Sequence, residues 1–103
     1  MYIAVFITCA NKLQAQKIAR ALVDRKLCAC VNIIGKVNSF FRWKGKVDKA
    51  SEVLLMAKSC RRKLPGIIKC VKSLHSYSVP EIIALPLAGG NNDYLEWIDG
   101  SVR

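Results

Sequence analysis

The stretch from Cys28 to Lys58 limits what this chain can fold into more than any other. It holds two arms rich in β-branched and aromatic residues, Cys28–Trp43 and Ala50–Lys58, around a polar turn containing Gly45 and Asp48. That pattern predicts a β-hairpin. Strands usually run about five or six residues, so arms of this length are unusual in a chain of 103 residues. Gly35 and Asn38-Ser39 lie inside the first arm, where they predict a kink or bulge rather than an end. A small sheet cannot pair such an arm throughout. The overhang would offer unpaired N–H and C=O groups, which proteins normally cover. The economical cover is another copy of the chain, so the hairpin is read as the assembly device of a homo-oligomer.

The flanking segments supply the rest of a sheet. Tyr2–Cys9 is a continuous apolar run of strand length, suited to a strand buried on both faces. Asn11 with Gln14 three residues on resembles a capping box. Ala15, Ile18, Ala19 and Leu22 then share one helical face, and the helix is expected to run to Leu27. After the hairpin, Leu64, Ile67, Ile68, Val71 and Leu74 mark a second helix, with Pro65 tolerated only in its first turn. His75–Pro80 is a loop, Glu81–Leu87 a last strand at a sheet edge because of Pro86, and Asn91 or Asn92 caps a short final helix. The order strand, helix, strand, strand, helix, strand with right-handed crossovers predicts an α+β, ferredoxin-like βαββαβ sandwich, a single domain over residues 1–103. The first and third strands occupy its centre, and the long second strand lies at an edge.

Charge and cysteine content narrow the function classes. The net charge is +10, from 17 Lys+Arg against 7 Asp+Glu. Such a balance suits anionic partners or plain solubility. The basic residues of the second helix, Arg61, Arg62, Lys63, Lys69 and Lys72, form its outer surface without aromatic interleaving, so base stacking is poorly supported and nucleic acid is not an expected partner. Five cysteines, an odd number, argue against a disulfide scaffold and for a reducing cytoplasm. Met1–Thr8 lacks the basic start of a targeting peptide, and no apolar run is long enough for a membrane span.

No phosphate-binding loop and no nucleophile–base pair can be read, so an enzyme is the least favoured class. His75 is the only histidine, placed in a loop beside Tyr77. Cys28-Ala-Cys30 lacks the spacing of zinc or thioredoxin motifs. On a strand its thiols share one face, as small buried hydrophobes or as soft-metal ligands. Cys70, on the second helix before His75, adds a further thiol. Glu52 and Lys58 differ by an even number and so face the same side of a strand. Three readings stay open for them: an ion pair, a cleft wall or a solvated face.

Across nearly its whole length, Tyr2 to Val102, the chain resembles the CutA divalent-cation tolerance family. The likeness is carried by Lys26-Leu-Cys-Ala-Cys30-Val-Asn32, by Trp43-Lys-Gly45-Lys46, by Glu52 and Lys58, by Leu74-His75-Ser-Tyr77-Ser-Val-Pro80-Glu81-Ile82, and by Asn92-Asp-Tyr94-Leu-Glu-Trp97. Ser76 departs from it, standing where the family usually has proline. The resemblance implies a tight homotrimer built on the long hairpins and a role in divalent-metal tolerance, with copper the usual attribution. It implies Cys30, Cys70 and His75 as metal ligands, and Trp43, Glu52, Lys58 and Tyr77 as the walls of a cleft between subunits.

The expected function is therefore that of a cytoplasmic, non-enzymatic homotrimer that binds copper or other divalent ions, or a small anionic ligand, in shared clefts. The alternative is a signalling or regulatory trimer that senses a small ligand without a physiological metal role.

Overall fold

In a computed structural model that describes all residues 1–103, four strands form one antiparallel sheet. The elements are β1 (Tyr2–Cys9), α1 (Lys12–Asp24), β2 (Cys30–Trp43), β3 (Lys46–Cys60), a 3-10 turn at Arg61–Lys63, α2 (Leu64–Leu74), β4 (Ile82–Pro86) and α3 (Asn92–Ser101). The strand order is β2-β3-β1-β4, so β1 and β3 are central and the long β2 is an edge, as expected.

Alternation divides each central strand between two environments. Ile3, Val5, Ile7 and Cys9 of β1 and Val53, Leu55 and Ala57 of β3 point to one side. There they bury against Ala15, Ile18, Ala19 and Leu22 of α1 and Ile67, Cys70 and Val71 of α2 in one core. The opposite side carries Phe6, Leu54, Met56, Ile34, Ile83 and Leu85, matched across the strands by register. Only its end is covered: Ile98 of α3 and Val102 just after it pack on Cys60, near Tyr2 and Ala29. The remainder is apolar and open, with Ile83 and Leu85 about half exposed.

β1 pairs with β3 only from Val53 to Cys60. Beyond that point β2 and β3 pair with each other alone, out to the Trp43–Lys46 turn. The overhang stretches the subunit to 44 × 25 × 23 Å with a radius of gyration of 14.1 Å, against about 13 Å for a compact domain of 100 residues.

Three local features differ from the sequence reading. The hairpin turn is tighter, with Lys44 and Gly45 as its two central residues, both at positive φ. That is the type I′ geometry whose twist suits a hairpin. Asp48 is therefore not in the turn but in the ladder, opposite Phe41. The bulge falls between Ile34 and Val37 and so takes in Gly35, as expected, with Lys36 at φ 47°, whereas Asn38 and Ser39 pair regularly with Ser51 and Ala50. Finally, α1 stops at Asp24 rather than Leu27. Lys26 takes a left-handed conformation, its N–H bonds to Val23 O, and Leu27 N–H bonds to Leu22 O. These two bonds make a Schellman termination without glycine. At the helix start, Asn11 Oδ1 accepts the Gln14 N–H at 2.9 Å, the expected cap.

Candidate functional site

The long hairpin makes a wall of alternating character. Ser39, Phe41 and Trp43 on β2 stand opposite Ala50, Asp48 and Lys46 on β3, all on the side that also carries Glu52. The loop after α2 closes the base of this wall. Together they enclose a cleft of about 750 Å³. Trp43, Glu52 and Tyr77, three of the four expected cleft residues, line it, joined by Asp48 and Glu81. No lysine or arginine lines the cleft, although the chain as a whole carries +10.

Glu52 is the anchor. It is only 7% exposed, and a carboxylate so enclosed requires a donor. Tyr77 supplies one: its hydroxyl donates to Glu52 Oε2 at 2.9 Å. Burial, and next the bond to Glu52, push the Tyr77 phenol up to about 12. Burial and the nearby Glu52 charge also push the Cys9 thiol up to about 11. Both groups therefore stay protonated at neutral pH.

His75 fixes Tyr77. Its Nε2 lies 2.7 Å from Thr8 O, and its Nδ1 accepts the Tyr77 N–H at 3.0 Å. A carbonyl can only accept and an amide can only donate, so the network assigns the proton to Nε2. The His75 and Tyr77 rings sit 4.7 Å apart. Both ring nitrogens are thus engaged, and the imidazole clasps the loop to β1.

The expected metal ligands are not gathered. Cys30 is half-buried on β2 opposite Lys58, beside Tyr94, on the side away from α1 and α2. Cys70 is buried in the core, where its sulfur accepts from Arg25 Nη1 at 3.3 Å. Cys28 is buried nearby, its thiol pushed up to about 12 by burial first and then by Cys70 and Cys30. No group of three or more His, Cys, Asp or Glu side chains in one chain is arranged to hold a metal ion, so a closed metal site does not fit the residues of a single subunit. Lys58 also stands apart from the cleft. It shares a strand side with Glu52, but six residues along β3 separate the two by about 20 Å. Its ammonium donates to Asn32 rather than pairing with Glu52.

Asp48 and Glu81 were missed as cleft residues. The polar run around Gly45 places Asp48 in the turn, and only the ladder register brings it opposite Phe41. Glu81 reads as the first residue of the last strand but lies just before it, where the loop meets the hairpin.

A family model described as CutA1 divalent ion tolerance protein matches residues 3–101. Protein CutA of Mus musculus is 46% identical over 92% of this chain and 54% of its own length, so the chain spans about half of that relative. A divalent cation tolerance protein structure from Thermus thermophilus superposes with a TM-score of 0.97 at 44% identity, covering 98% of both chains. A structure described as a periplasmic divalent cation tolerance protein CutA, from Archaeoglobus fulgidus, gives 0.97 at 38% identity over the full length of both.

Proposed function

This chain belongs to the CutA1 divalent ion tolerance family, and on that premise we propose that it acts as a non-enzymatic homotrimer that takes divalent cations in clefts shared between copies. The observation that carries this reading is the charge of the cleft. Asp48, Glu52 and Glu81 line it and no lysine or arginine does, in a chain whose excess is strongly positive. Oxygen ligands of this kind favour hard divalent ions over anions, so the reading moves away from a small anionic ligand. Since one subunit offers no complete cage, a second copy is needed to finish the coordination. The open apolar sheet face and the overhanging hairpin support such a partner. Cys30 is the thiol best placed to meet a soft ion such as Cu(I), because Cys70 is buried and both nitrogens of His75 are engaged. The same engagement leaves the cleft without a free imidazole base, which supports binding rather than catalysis. Five free thiols suit a reducing cytoplasm.

A second reading rests on Phe41, Trp43 and Tyr77. These rings, with the carboxylates, suit an organic cation held by stacking and charge, and a trimer of this kind would report such a ligand as a regulatory module.

Calorimetric titration with Cu(II), Zn(II) and Mn(II) tests the first reading. Glu52→Gln keeps an acceptor for Tyr77 but removes a charge, and it is expected to weaken uptake about tenfold or more. Cys30→Ser is expected to affect copper under reducing conditions only. Equal binding by the wild type and Glu52→Gln would remove the cleft as the site.

A further inference from the structure

The positive charge is concentrated in one layer of the molecule. Residues 12–26 and 61–74, the two helices with their flanks, hold ten lysines and arginines and one carboxylate, a net +9. The rest of the chain holds seven cations and six carboxylates, a net +1. Almost the entire excess of +10 therefore lies on the helical layer. The helices spend their apolar sides on the sheet, which turns Lys17, Arg20 and Lys26 of α1 and its end, and Lys69 and Lys72 of α2, into solvent. The one acid of the layer, Asp24, is paired with Arg20 at 3.1 Å, and of the flanking cations Arg62 turns away to Asp99 of α3 at 3.0 Å, so it is not part of the face. Arg25 reaches across to Cys70, so the two helices present one continuous surface.

We propose that the outer face of α1 and α2 is a docking surface for double-stranded nucleic acid, bound through its phosphates without sequence selection. The inference is independent of the cleft, which lies on the hairpin and carries the opposite charge. It also leaves free the open side of the sheet, where other copies are proposed to pack.

Three observations favour this partner over others. Charge complementarity selects a polyanion. None of the eight aromatic residues falls within residues 12–26 or 61–74, so there is no platform on which single-stranded bases could stack. A membrane surface needs a continuous apolar stripe to enter the acyl boundary, but Ala15, Ile18, Leu22, Ile67 and Val71 are committed to the core, and the large apolar residues α1 does expose, Leu13 and Val23, stand at opposite ends of the helix. What remains is a face about 20 Å long, from thirteen helical residues at 1.5 Å each, dense in ammonium and guanidinium groups. That is the chemistry of phosphate contact alone.

The test uses the full-length protein and a labelled 24-base-pair duplex, followed by fluorescence anisotropy between about 50 and 200 mM salt. One variant carries Lys17→Gln, Lys26→Gln, Lys69→Gln and Lys72→Gln. A second carries Lys36→Gln, Lys44→Gln, Lys46→Gln and Lys49→Gln, the same loss of charge placed on the hairpin. Thermal melts verify that both remain folded. The wild type is expected to bind with a steep salt dependence. The helix-face variant should lower the slope of log K against log salt by about three to four, from roughly 0.9 per phosphate contact. The hairpin variant should bind much as the wild type does. Equal losses in the two variants would reduce the effect to bulk charge and overturn the proposal. So would the absence of duplex binding at 50 mM salt, or retention by phosphatidylserine vesicles in place of duplex.

Discussion

The chemistry of the cleft turns on three side chains: His75 and Tyr77, two residues apart in one loop, and Glu52 on β3. Glu52 is buried, Tyr77 satisfies it, and His75 holds Tyr77 in place through both ring nitrogens. The sequence marks His75 and Tyr77 as a pair worth attention, and it marks Glu52 as a residue of mixed promise. It does not reveal that the imidazole is spent on Thr8 O and the Tyr77 amide, because residue type does not say where a lone pair points. Removing the hydroxyl in Tyr77→Phe leaves Glu52 without its donor, at an expected cost of about 1–3 kcal/mol, measurable as a lower urea midpoint. The pH dependence comes from the same place, through burial first and the bond to Glu52 next. The Tyr77 phenol is raised from its ordinary 10 to about 12, so its protonated form is favoured in the folded state. The stability this contributes is complete below pH 10 and is lost as pH rises through 12. A melting profile across that window should fall more gently in Tyr77→Phe than in the wild type. Thiol accessibility offers a simpler measurement. Cys9, Cys28, Cys60 and Cys70 are buried and Cys30 is not, so a thiol reagent at pH 8 should titrate one fast group per chain, absent in Cys30→Ser.

Individual elements are written in the sequence where the local chemistry is strong. The Asn11 cap, the apolar face of α1, Pro65 in the first turn of α2 and the Asn91 cap of α3 all form as their residues require. Boundaries set by left-handed residues are harder to read, because here that conformation falls on lysines. Lys26 ends α1, Lys36 makes the bulge, and Lys44 opens the turn, each a position where glycine or asparagine would have been legible. A non-glycine residue held there costs about 1–2 kcal/mol. Lys44→Asn creates the favoured Asn-Gly turn and is expected to raise stability by up to about 1 kcal/mol. Asn11→Ala removes the α1 cap and should lower it by about 1 kcal/mol. Chemical denaturation of both variants beside the wild type checks the two signs.

At the scale of the whole molecule, the edge position of β2 followed from topology, and the length of its arm pointed to an assembly device. What the chain could not display is how much it leaves uncovered. Register shows that Phe6, Leu54, Met56, Ile34, Ile83 and Leu85 fall on one side of the sheet, away from both helices. Ile34, Ile83 and Leu85 on that side are 41–50% exposed, contiguous apolar exposure marks an interaction site, and copies of the same chain are the partner proposed to cover it. Met56→Asp, placed at the centre of that side, should leave the helix-facing core intact and dissociate the assembly. The most direct test is sedimentation equilibrium of the full-length wild type at low micromolar concentration. A homotrimer is expected to sediment as a single species at three times the chain mass of 11.5 kDa, unchanged on dilution. A stable species of 11.5 kDa with native circular dichroism would contradict it.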